Sequence, residues 1–469
     1  MKLNNPAAIL AIILTLSAAI QCRSAERPNI VFIFADDWGW GDLGCHGHPY
    51  VKTPNIDRLA AEGTDFHRFT VASGVCSPSR AAVMTGHFPA RYNIDGHFAW
   101  VPSNAKRNMP DWLDPAAPLL PRFLQQAGYA TAHFGKWHLS NNMIPDSPLP
   151  GEYGFDEYGA FNCAGEQMPV HEDARNANAF IERSVAAGKP FFINLWLHEP
   201  HTPFHTVPKY EWRFRHLENE AERIYASVLS HADDRIGEVL DTLDRLDLAG
   251  ETLVIFSSDN GPARAAEPTK LALQYDTATG AGWGIGAAKG ITGGRRGYKS
   301  SLFEGGIGVP FIARWPGKIA AGRVDRSSVL SAVDLLPTFC ELAGFELPAS
   351  YQPDGISQLE TLGGAESPSR EKPLFWKLDS RWPAPKNRPE HWVSYAMVLD
   401  QWKLLTNRDR SHVELYDLDS DRYESSNLSA EQPEVVAKLL AGLEEWIATL
   451  PAHPDSKLFS AERDQKKPK

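Results

Sequence analysis

The 469-residue chain has few of the features that define several common classes of protein. It has only five cysteines, with no CxxC pair and no zinc-like spacing, which is too few for a disulfide scaffold in a chain this long. Positive charge is in deficit, because 47 Lys and Arg face 58 Asp and Glu and the formal net charge is -11. No basic field is available to follow a phosphate backbone, so nucleic acid is excluded as the expected partner.

Long apolar runs are also scarce. The one that stands out, Ala7–Ile20, is too short to cross a bilayer as an anchored helix and is typical of an export signal. We therefore expect residues 1–25 to be a signal peptide and the mature protein to be periplasmic or extracellular, with no membrane span. Cys22 offers the alternative of a lipoprotein anchor, but Gln21 before it fits that motif poorly.

What is present is an ordinary globular composition with an α/β pattern. Continuous apolar runs that end abruptly in polar residues indicate strands buried on both faces of a large, mostly parallel sheet flanked by helices. The predicted strands are Asn29–Ala35, Tyr129–Phe134, Phe191–Leu197 and Thr252–Phe256, and the predicted helices are Asn55–Glu62, Pro118–Gln126, Ala174–Ala187 and Glu218–Leu246.

The pattern changes after Gly344, and we expect residues 26–346 to form a catalytic domain and 347–451 a smaller C-terminal subdomain. Leu347–Arg388 is rich in Pro, Gly and Ser and is predicted to be a loop. A small antiparallel sheet with one covering helix should follow, and the polar tail, 452–469, should fray. The elements predicted there are Trp392–Leu399, Trp402–Thr406, Val413–Tyr416 and the helix Pro433–Thr449.

Polar residues follow all four predicted strands of the large sheet, where ligand sites form in open α/β folds. These are Asp36-Asp37, Lys136 with His138, His198 with His201, and Asp259-Asn260. The three aspartates and the asparagine are hard oxygen donors that suit Ca²⁺. Three crowded carboxylates would repel one another without a cation. A solvated turn would explain Asp36-Asp37 alone, but a second such pair ending another strand favours a metal site.

Cys76 begins a segment with the marks of a helix start. Ser77 is predicted as the N-cap, Pro78 as the first helical residue and Gly86 as the C-terminal stop. Cys76 would then lie where backbone N–H groups favour anions, and Arg80 could face the same point. Taken alone, a buried structural cysteine explains this segment equally well.

The run Cys76-x-Pro78-x-Arg80 followed by AAxxTG resembles the sulfatase signature, in which a maturation enzyme oxidises the cysteine to formylglycine. The resemblance covers most of the chain and implies an alkaline-phosphatase-like fold and a sulfuric ester hydrolase. It continues, in the family's order, through Pro28–Gly41, Gly135–His138, His198–His201, Asp259–Gly261, Lys299–Gly306 and Glu414–Asp417.

The resemblance also implies a mechanism. One hydroxyl of the hydrated formylglycine, held by a single Ca²⁺, attacks sulfur and expels the alcohol, and the second hydroxyl then drives the release of sulfate. The resemblance assigns the metal to Asp36, Asp37, Asp259, Asn260 and the modified Cys76. It assigns Arg80 to the hydrated aldehyde, and Lys136 and Lys299 to the sulfate oxygens. His138 is assigned to the elimination and His201, with His198 less certain, to the leaving oxygen.

A sulfated carbohydrate is the expected substrate. The resemblance is closest to arylsulfatase-like and N-acetylgalactosamine-6-sulfatase-like members, and aromatic residues are dense in the predicted rim loops, where sugars could stack on them. Candidate substrate residues are His198, Glu166 within Gly159–Gln167, Trp382 and His391, with His97, Trp100, His171, Trp283 and Trp376 as further rim candidates.

Three other functions fit parts of the pattern. A phosphate or phosphonate monoester hydrolase of the same superfamily is the main alternative, although enzymes with zinc pairs need more Asp and His ligands than this chain offers. A catalytically inactive glycan-binding protein would not need the full polar set. A thiol hydrolase using unmodified Cys76 would leave the calcium ligands without a purpose.

Overall fold

The structure is a computed structural model that describes residues 27–265, 270–367, 369–370, 372–378 and 392–465. The predicted signal peptide with Cys22, and the substrate candidates Trp382 and His391, lie outside the described residues. Within the described ranges, no helix combines the length and the apolar character needed to cross a bilayer.

An eight-stranded, mostly parallel sheet forms the centre of the fold, as the sequence predicts. Strand β10 alone among its described strands runs antiparallel to its neighbours. Numbered in chain order and given from edge to edge, the strands are β11 (Arg323–Asp325), β2 (Thr64–Phe66), β10 (Phe311–Arg314), β7 (Thr252–Ser258), β1 (Asn29–Ala35), β6 (Phe191–Trp196), β4 (Ala130–Lys136) and β5 (Glu157–Phe161).

The strands predicted from apolar runs are β1, β4, β6 and β7, which are adjacent at the middle of the sheet. Alternate residues of β1 enter two different cores, which explains why its sequence is apolar throughout. Phe32 and Phe34 pack in the core that includes Val83 of the Cys76–Thr85 helix. Val31 and Ile33 pack in the opposite core, which includes the long Glu220–Arg245 helix.

The predicted helices are all present, with ends that differ from the prediction by at most two residues, and the described chain has further helices that were not predicted. Those of the described chain are Pro54–Glu62, Cys76–Thr85, Val101–Lys106, Leu120–Gln126, Asp173–Ala186, Pro208–Arg213, Glu220–Arg245, Glu304–Ile307, Leu335–Leu342, Leu359–Leu362, Pro433–Ala448 and Glu462–Gln465. Short strand pairs join β3 (Phe69–Thr70) to β12 (Leu330–Ser331) and β8 (Leu273–Asp276) to β9 (Gly280–Trp283).

The C-terminal part is a four-stranded antiparallel sheet covered by the Pro433–Ala448 helix, whose Trp446 stacks on Phe375. One strand corrects the sequence prediction, because β13 falls inside the segment predicted as a loop. Its apolar run, Leu374–Trp376, is only three residues long and follows a region rich in Pro and Gly, so it gives no periodic signal. The strands are β13 (Leu374–Lys377), β14 (Tyr395–Leu399), β15 (Trp402–Thr406) and β16 (Val413–Asp417).

The expected fraying of the tail is wrong for residues 456–463. Leu458 is buried with Val101, Trp112 and Ile144. Beyond it, the Arg463 guanidinium forms an ion pair with Asp111 at 2.9 Å. The described end of the chain is therefore held against residues 101–146 by apolar and ionic contacts.

Candidate active site

The carboxylates predicted to bind a metal form one buried cluster. Ala35 of β1 is in register with Ser258 of β7, so the residues that follow these parallel strands meet at the same edge of the sheet. Carboxylate oxygens of Asp36, Asp37 and Asp259 lie within 4.8 Å of one another. The Asp37 backbone N–H donates to Asp259 Oδ1 at 3.2 Å, and Asn260 Nδ2 donates to Asp37 Oδ1 at 2.7 Å.

Each carboxylate is paired with a cation that the sequence predicts for the site. The Arg80 and Lys136 side chains are buried, and that of Lys299 is 19% exposed. The three pairs are Arg80 Nη2 with Asp259 Oδ2 at 2.6 Å, Lys299 Nζ with Asp37 Oδ1 at 2.7 Å, and Lys136 Nζ with Asp36 Oδ2.

The donors fit a hard divalent cation such as Ca²⁺. Asp36 Oδ1 and Asn260 Oδ1 are buried without a hydrogen-bond partner, which leaves two oxygens that a cation would satisfy. Burial and the neighbouring Asp36 carboxylate raise the pKa of Asp259 to about 7, so the cluster disfavours its own full ionisation. Three carboxylates balance three cations here, and a divalent ion would leave a positive surplus that attracts an anion.

The helix that carries Cys76 begins two residues earlier than the sequence suggests. Cys76 is its first residue, Val75 is the N-cap, and Gly86 ends it in the left-handed conformation, as predicted. The prediction of Ser77 as N-cap is wrong. Its Oγ instead accepts a hydrogen bond from the Phe98 N–H at 2.9 Å, which fastens the following loop to the helix start.

The Cys76 side chain faces the cluster. Its Sγ lies within 4.8 Å of a carboxylate oxygen of Asp36 and a ring nitrogen of His201. Burial raises the pKa of the Cys76 thiol despite the favourable charges of Lys136 and Lys299. The unmodified thiol is therefore held in its protonated, weakly nucleophilic form.

His138 lies next to Lys136 with a left-handed backbone, at φ 53°. Its Nε2 donates to the Phe98 carbonyl at 2.9 Å, and its Nδ1 is buried without a partner. Burial, helped by the Lys136 charge, keeps the pKa of His138 well below its usual range. The ring is therefore neutral and offers the lone pair of Nδ1 as a proton acceptor.

His198 and His201, in the loop after β6, have different hydrogen-bond partners. His198 Nε2 donates to the Pro203 carbonyl at 2.9 Å, and burial lowers the pKa of His198 to about 4, which is typical of a structural histidine. His201 Nδ1 faces the Thr202 carbonyl, which leaves Nε2 free to act at the site. Of the two predicted residues, His201 is the one with a ring nitrogen within 4.8 Å of Cys76 Sγ.

The ion pairs that hold the loop of His198 and His201 were not predicted from the sequence. Arg235 Nη2 lies 2.5 Å from Glu199 Oε2, and its Nε lies 3.0 Å from Asp173 Oδ1, all of them buried. The Glu199 carbonyl also accepts the Asp36 N–H at 3.3 Å, so the pair supports the metal cluster as well. The available signal was a charged residue on the apolar face of the Glu220–Arg245 helix, three residues after Ala232.

The β8–β9 hairpin is hydrogen-bonded to two loops, the one after β6 that carries His201 and the one after β4 that carries Asn142. Trp283 exchanges two backbone hydrogen bonds with Phe204, at 2.8 and 3.0 Å, just beyond His201. On the other side, Asn142 Nδ2 donates to Thr277 Oγ1 at 2.7 Å. Tyr275 on this hairpin is 73% exposed, which makes it a candidate sugar platform that the sequence analysis did not select.

The predicted substrate residues are only partly brought together. Glu166 is exposed and lines a surface cavity of about 430 Å³ beside Tyr158 and Gln167. Trp376 is not a rim residue, because it is buried and its Nε1 donates to the Val71 carbonyl at 2.7 Å. Burial and nearby positive charges, including those of Lys299 and Lys136, lower the pKa of His97 to about 3.

A mostly parallel sheet whose strand ends hold carboxylates, paired cations and a buried cysteine defines a hydrolase of the alkaline-phosphatase-like fold class. Residues 28–345 match the sulfatase family model, and residues 296–450 match the model of the C-terminal region of N-sulphoglucosamine sulphohydrolase. The chain belongs to the sulfatase family and is a sulfuric ester hydrolase.

Named relatives agree with this assignment. The chain is similar to N-acetylgalactosamine-6-sulfatase of Sus scrofa, with 32% identity over 78% of this chain and 72% of the relative. It is 27% identical to N-acetylgalactosamine-6-O-sulfatase of Bacteroides thetaiotaomicron over 90% and 93% of the two chains. A Bacteroides thetaiotaomicron structure solved in work on the metabolism of multiple glycosaminoglycans has a TM-score of 0.70 and 26% identity over 90% of this chain and 99% of that one.

Proposed function

We propose that this enzyme hydrolyses sulfate esters of carbohydrates, with formylglycine made from Cys76 and one Ca²⁺. The observation that carries the proposal is the placement of Cys76 at a helix start, with its Sγ within 4.8 Å of an Asp36 carboxylate oxygen and within reach of the charges of Lys136 and Lys299. An unmodified thiol with a raised pKa serves no purpose at that position, whereas an oxygen nucleophile does.

Asp36, Asp37, Asp259, Asn260 and the modified residue 76 would hold the calcium ion. When bound, Ca²⁺ and the hydrated formylglycine supply charge neutralisation and an oxygen nucleophile with a second hydroxyl. Every other part of the chemistry belongs to side chains of the chain itself, and their positions support the assignments below.

Lys136 and Lys299 bind the sulfate group. Nearby carboxylates raise the pKa of both lysines against the effect of burial, so both are charged. The Lys136 side chain is buried and that of Lys299 is 19% exposed, so both charges lie largely out of water, where they neutralise sulfate oxygens more strongly than surface lysines would. Arg80 orients the residue at position 76 and balances Asp259.

His138 and His201 move protons on different atoms. His138 accepts a proton at Nδ1, the one nitrogen that its hydrogen bond to Phe98 leaves free. His201 acts through Nε2 on the leaving alcohol oxygen. Burial keeps the pKa of His201 well below its usual range and the Asp36 carboxylate only partly opposes this, so the resting ring is neutral and Nε2 passes a proton to that oxygen only after accepting one.

A sulfated sugar is supported by the relatives and by the rim. Relatives of this chain are named N-acetylgalactosamine-6-sulfatases, and an exposed tyrosine on the β8–β9 hairpin offers a face for stacking. We propose a short oligosaccharide or chain end bearing an N-acetylhexosamine or galactose-type sulfate. An export signal, which places the protein where polysaccharides occur, and a maturation enzyme in the same host belong to this proposal, as do Trp382 and His391 as substrate residues.

The test is sulfate release from sulfated mono- and oligosaccharides by enzyme made in a host that matures Cys76, with the Cys76→Ala variant as control. We expect sulfate release from a 6-sulfated N-acetylhexosamine, and far slower hydrolysis of a matched phosphate ester. Faster phosphate or phosphonate hydrolysis would support the alternative hydrolase. Full activity of protein whose residue 76 has the mass of cysteine would support the thiol mechanism, and activity no higher than that of Cys76→Ala would indicate a binding protein.

A further inference from the structure

A second cluster of metal-type ligands lies apart from the site described above. His46 is in the turn that follows Trp40, and Asp65 and His67 belong to and follow β2, near the far edge of the sheet. Ligand atoms of the three side chains lie within 4.8 Å of one another. Their side chains are 2%, 6% and 15% exposed, respectively, so the cluster is almost closed to solvent.

The hydrogen bonds of this cluster do not balance with neutral rings. His46 Nδ1 lies 2.6 Å from the Trp40 carbonyl oxygen, which can only accept. Its Nε2 lies 2.8 Å from Oδ2 of the Asp65 carboxylate, which is a second acceptor. A neutral imidazole carries one proton and can donate to only one of these two oxygens, and a cation held between His46 Nε2 and Asp65 would satisfy the other contact.

The distances suit a metal ion as this cation. Two ligands about 2.0–2.1 Å from a tetrahedral zinc lie about 3.3 Å from each other. The Nε2 atoms of His46 and His67 lie 2.8 and 3.2 Å from the same oxygen of Asp65. Asp65 Oδ1 is buried without a hydrogen-bond partner and offers a further donor atom.

We propose that His46, Asp65 and His67 form a binding site for a divalent transition metal, and that Zn²⁺ is the ion whose chemistry they fit. Two imidazoles and one carboxylate are ligands of borderline softness, which distinguishes this site from the all-oxygen cluster at Asp36. The His46 Nδ1–H bond to the Trp40 carbonyl fixes the tautomer that leaves Nε2 for the metal.

The surrounding groups are compatible with an added cation. The Arg295 guanidinium stacks on the Trp40 ring at 4.7 Å, and this ring in turn stacks on His46 at 4.0 Å. The indole therefore lies between this guanidinium and the His46 ring. Arg295 Nη2 donates to the backbone carbonyl of His67 and not to its imidazole, whose Nε2 lies 3.2 Å from Asp65 Oδ2.

Metal binding here would fasten the turn containing Trp40 and His46 to β2. That turn begins shortly after Asp36-Asp37, so a bound ion would stabilise the segment that presents two of the carboxylates of the active site. The inference does not depend on the substrate or on formylglycine, and it can be tested in protein that has no activity.

The experiment measures bound zinc by equilibrium dialysis and elemental analysis of Cys76→Ala protein saturated with Ca²⁺. These conditions occupy the oxygen cluster and remove the competing thiol. We expect one Zn²⁺ per chain, a rise in Tm on zinc addition, and Co²⁺ absorption typical of tetrahedral coordination. His67→Gln and His46→Gln should each weaken zinc binding about tenfold or more.

Two matched variants control for other histidine sites. His231→Gln removes a ligand from the cluster of His171, Glu199 and His231, and His216→Gln removes an exposed histidine. Both should retain the zinc and the shift in Tm. The proposal is overturned if the parent protein binds no zinc, or if His67→Gln, at the more exposed of the two histidines, binds it as tightly as the parent.

Discussion

Arg80 and Asp259 form an ion pair in which neither side chain is exposed, with Nη2 of the arginine 2.6 Å from Oδ2 of the aspartate. The guanidinium also lies 4.9 Å from the ring centre of Trp196. The arginine of the modification motif is thus part of the charge balance of the site. A buried charge that loses its partner is costly, so this pair couples stability to catalysis.

Arg80→Ala should lower the free energy of unfolding by about 3–5 kcal/mol, because it leaves Asp259 buried without its partner. Urea denaturation of calcium-free protein measures this loss. The matched control is Arg245→Ala, whose partner Glu182 is on the surface, with both side chains more than half exposed. That variant should change stability by less than about 1 kcal/mol. Equal losses in the two variants would contradict a coupled buried pair.

Calcium should stabilise the protein, because the ion binds the folded carboxylate cluster and not the unfolded chain. At a calcium concentration about 100 times Kd, the gain is about 2.7 kcal/mol, visible as a rise in Tm. Asp37→Asn and Asp259→Asn should abolish this rise together with the activity. Asp241→Asn, at a side chain that is 77% exposed, should retain both. A rise in Tm that persists in Asp37→Asn would place the calcium elsewhere.

His138 is expected to act after the alcohol has left. His138→Ala should then lower kcat by about 10²- to 10⁴-fold while one equivalent of alcohol per active site is still released in a burst. The residual steady-state rate should be the same for aryl sulfates with good and poor leaving groups. Rapid-mixing measurements of alcohol release test this, and loss of the burst together with the steady-state rate would assign His138 to the first step.

Arg235 is a positioning residue, since it reaches the site only through Glu199 and the loop of His201. Arg235→Lys keeps the charge but loses the bidentate contact, so we expect kcat to fall about tenfold or more with little change in KM. Arg235→Ala should be worse, and the lysine variant should rescue it partly. If both variants lose stability but the folded fraction keeps the parent's kcat, the role of Arg235 is structural only.

The elements that the sequence predicts well are those with a continuous physical signal. Buried strands such as β1 are predicted from unbroken apolar runs. The polar residues that follow them converge because parallel strands end at one edge of the sheet. Strand β13 has too short a run to be distinguished from a loop. The Arg235–Glu199 pair joins residues 36 positions apart, and nothing local in either segment encodes the contact.

The same limit explains the partial success with the site. Cys76, Arg80 and Lys299 were selected because a motif surrounds them, and their contacts confirm that they converge. Ser77 was assigned to the wrong position because side-chain capping propensity is local, whereas its Oγ is committed to Phe98 from a distant loop. No sequence motif surrounds Tyr275. It becomes a candidate for sugar binding only when the structure places its hairpin between the loops of His201 and Asn142.

The exposed Tyr275 on the β8–β9 hairpin is expected to contribute to sugar binding. We expect a small aryl sulfate to fill the charged pocket without reaching the hairpin, and an oligosaccharide to stack on it. Tyr275→Ala should therefore lower kcat/KM for a sulfated oligosaccharide by about tenfold, which corresponds to the loss of one aromatic contact of about 1.4 kcal/mol. It should leave kcat/KM for the aryl sulfate unchanged, because only binding remote from the sulfur is lost. The control is Trp212→Ala, at an indole that is 66% exposed and stacked on Arg215, which should affect neither substrate. Equal losses on both substrates would mean that the hairpin supports the histidine loops instead of the sugar, and no loss on either would remove it from the binding site.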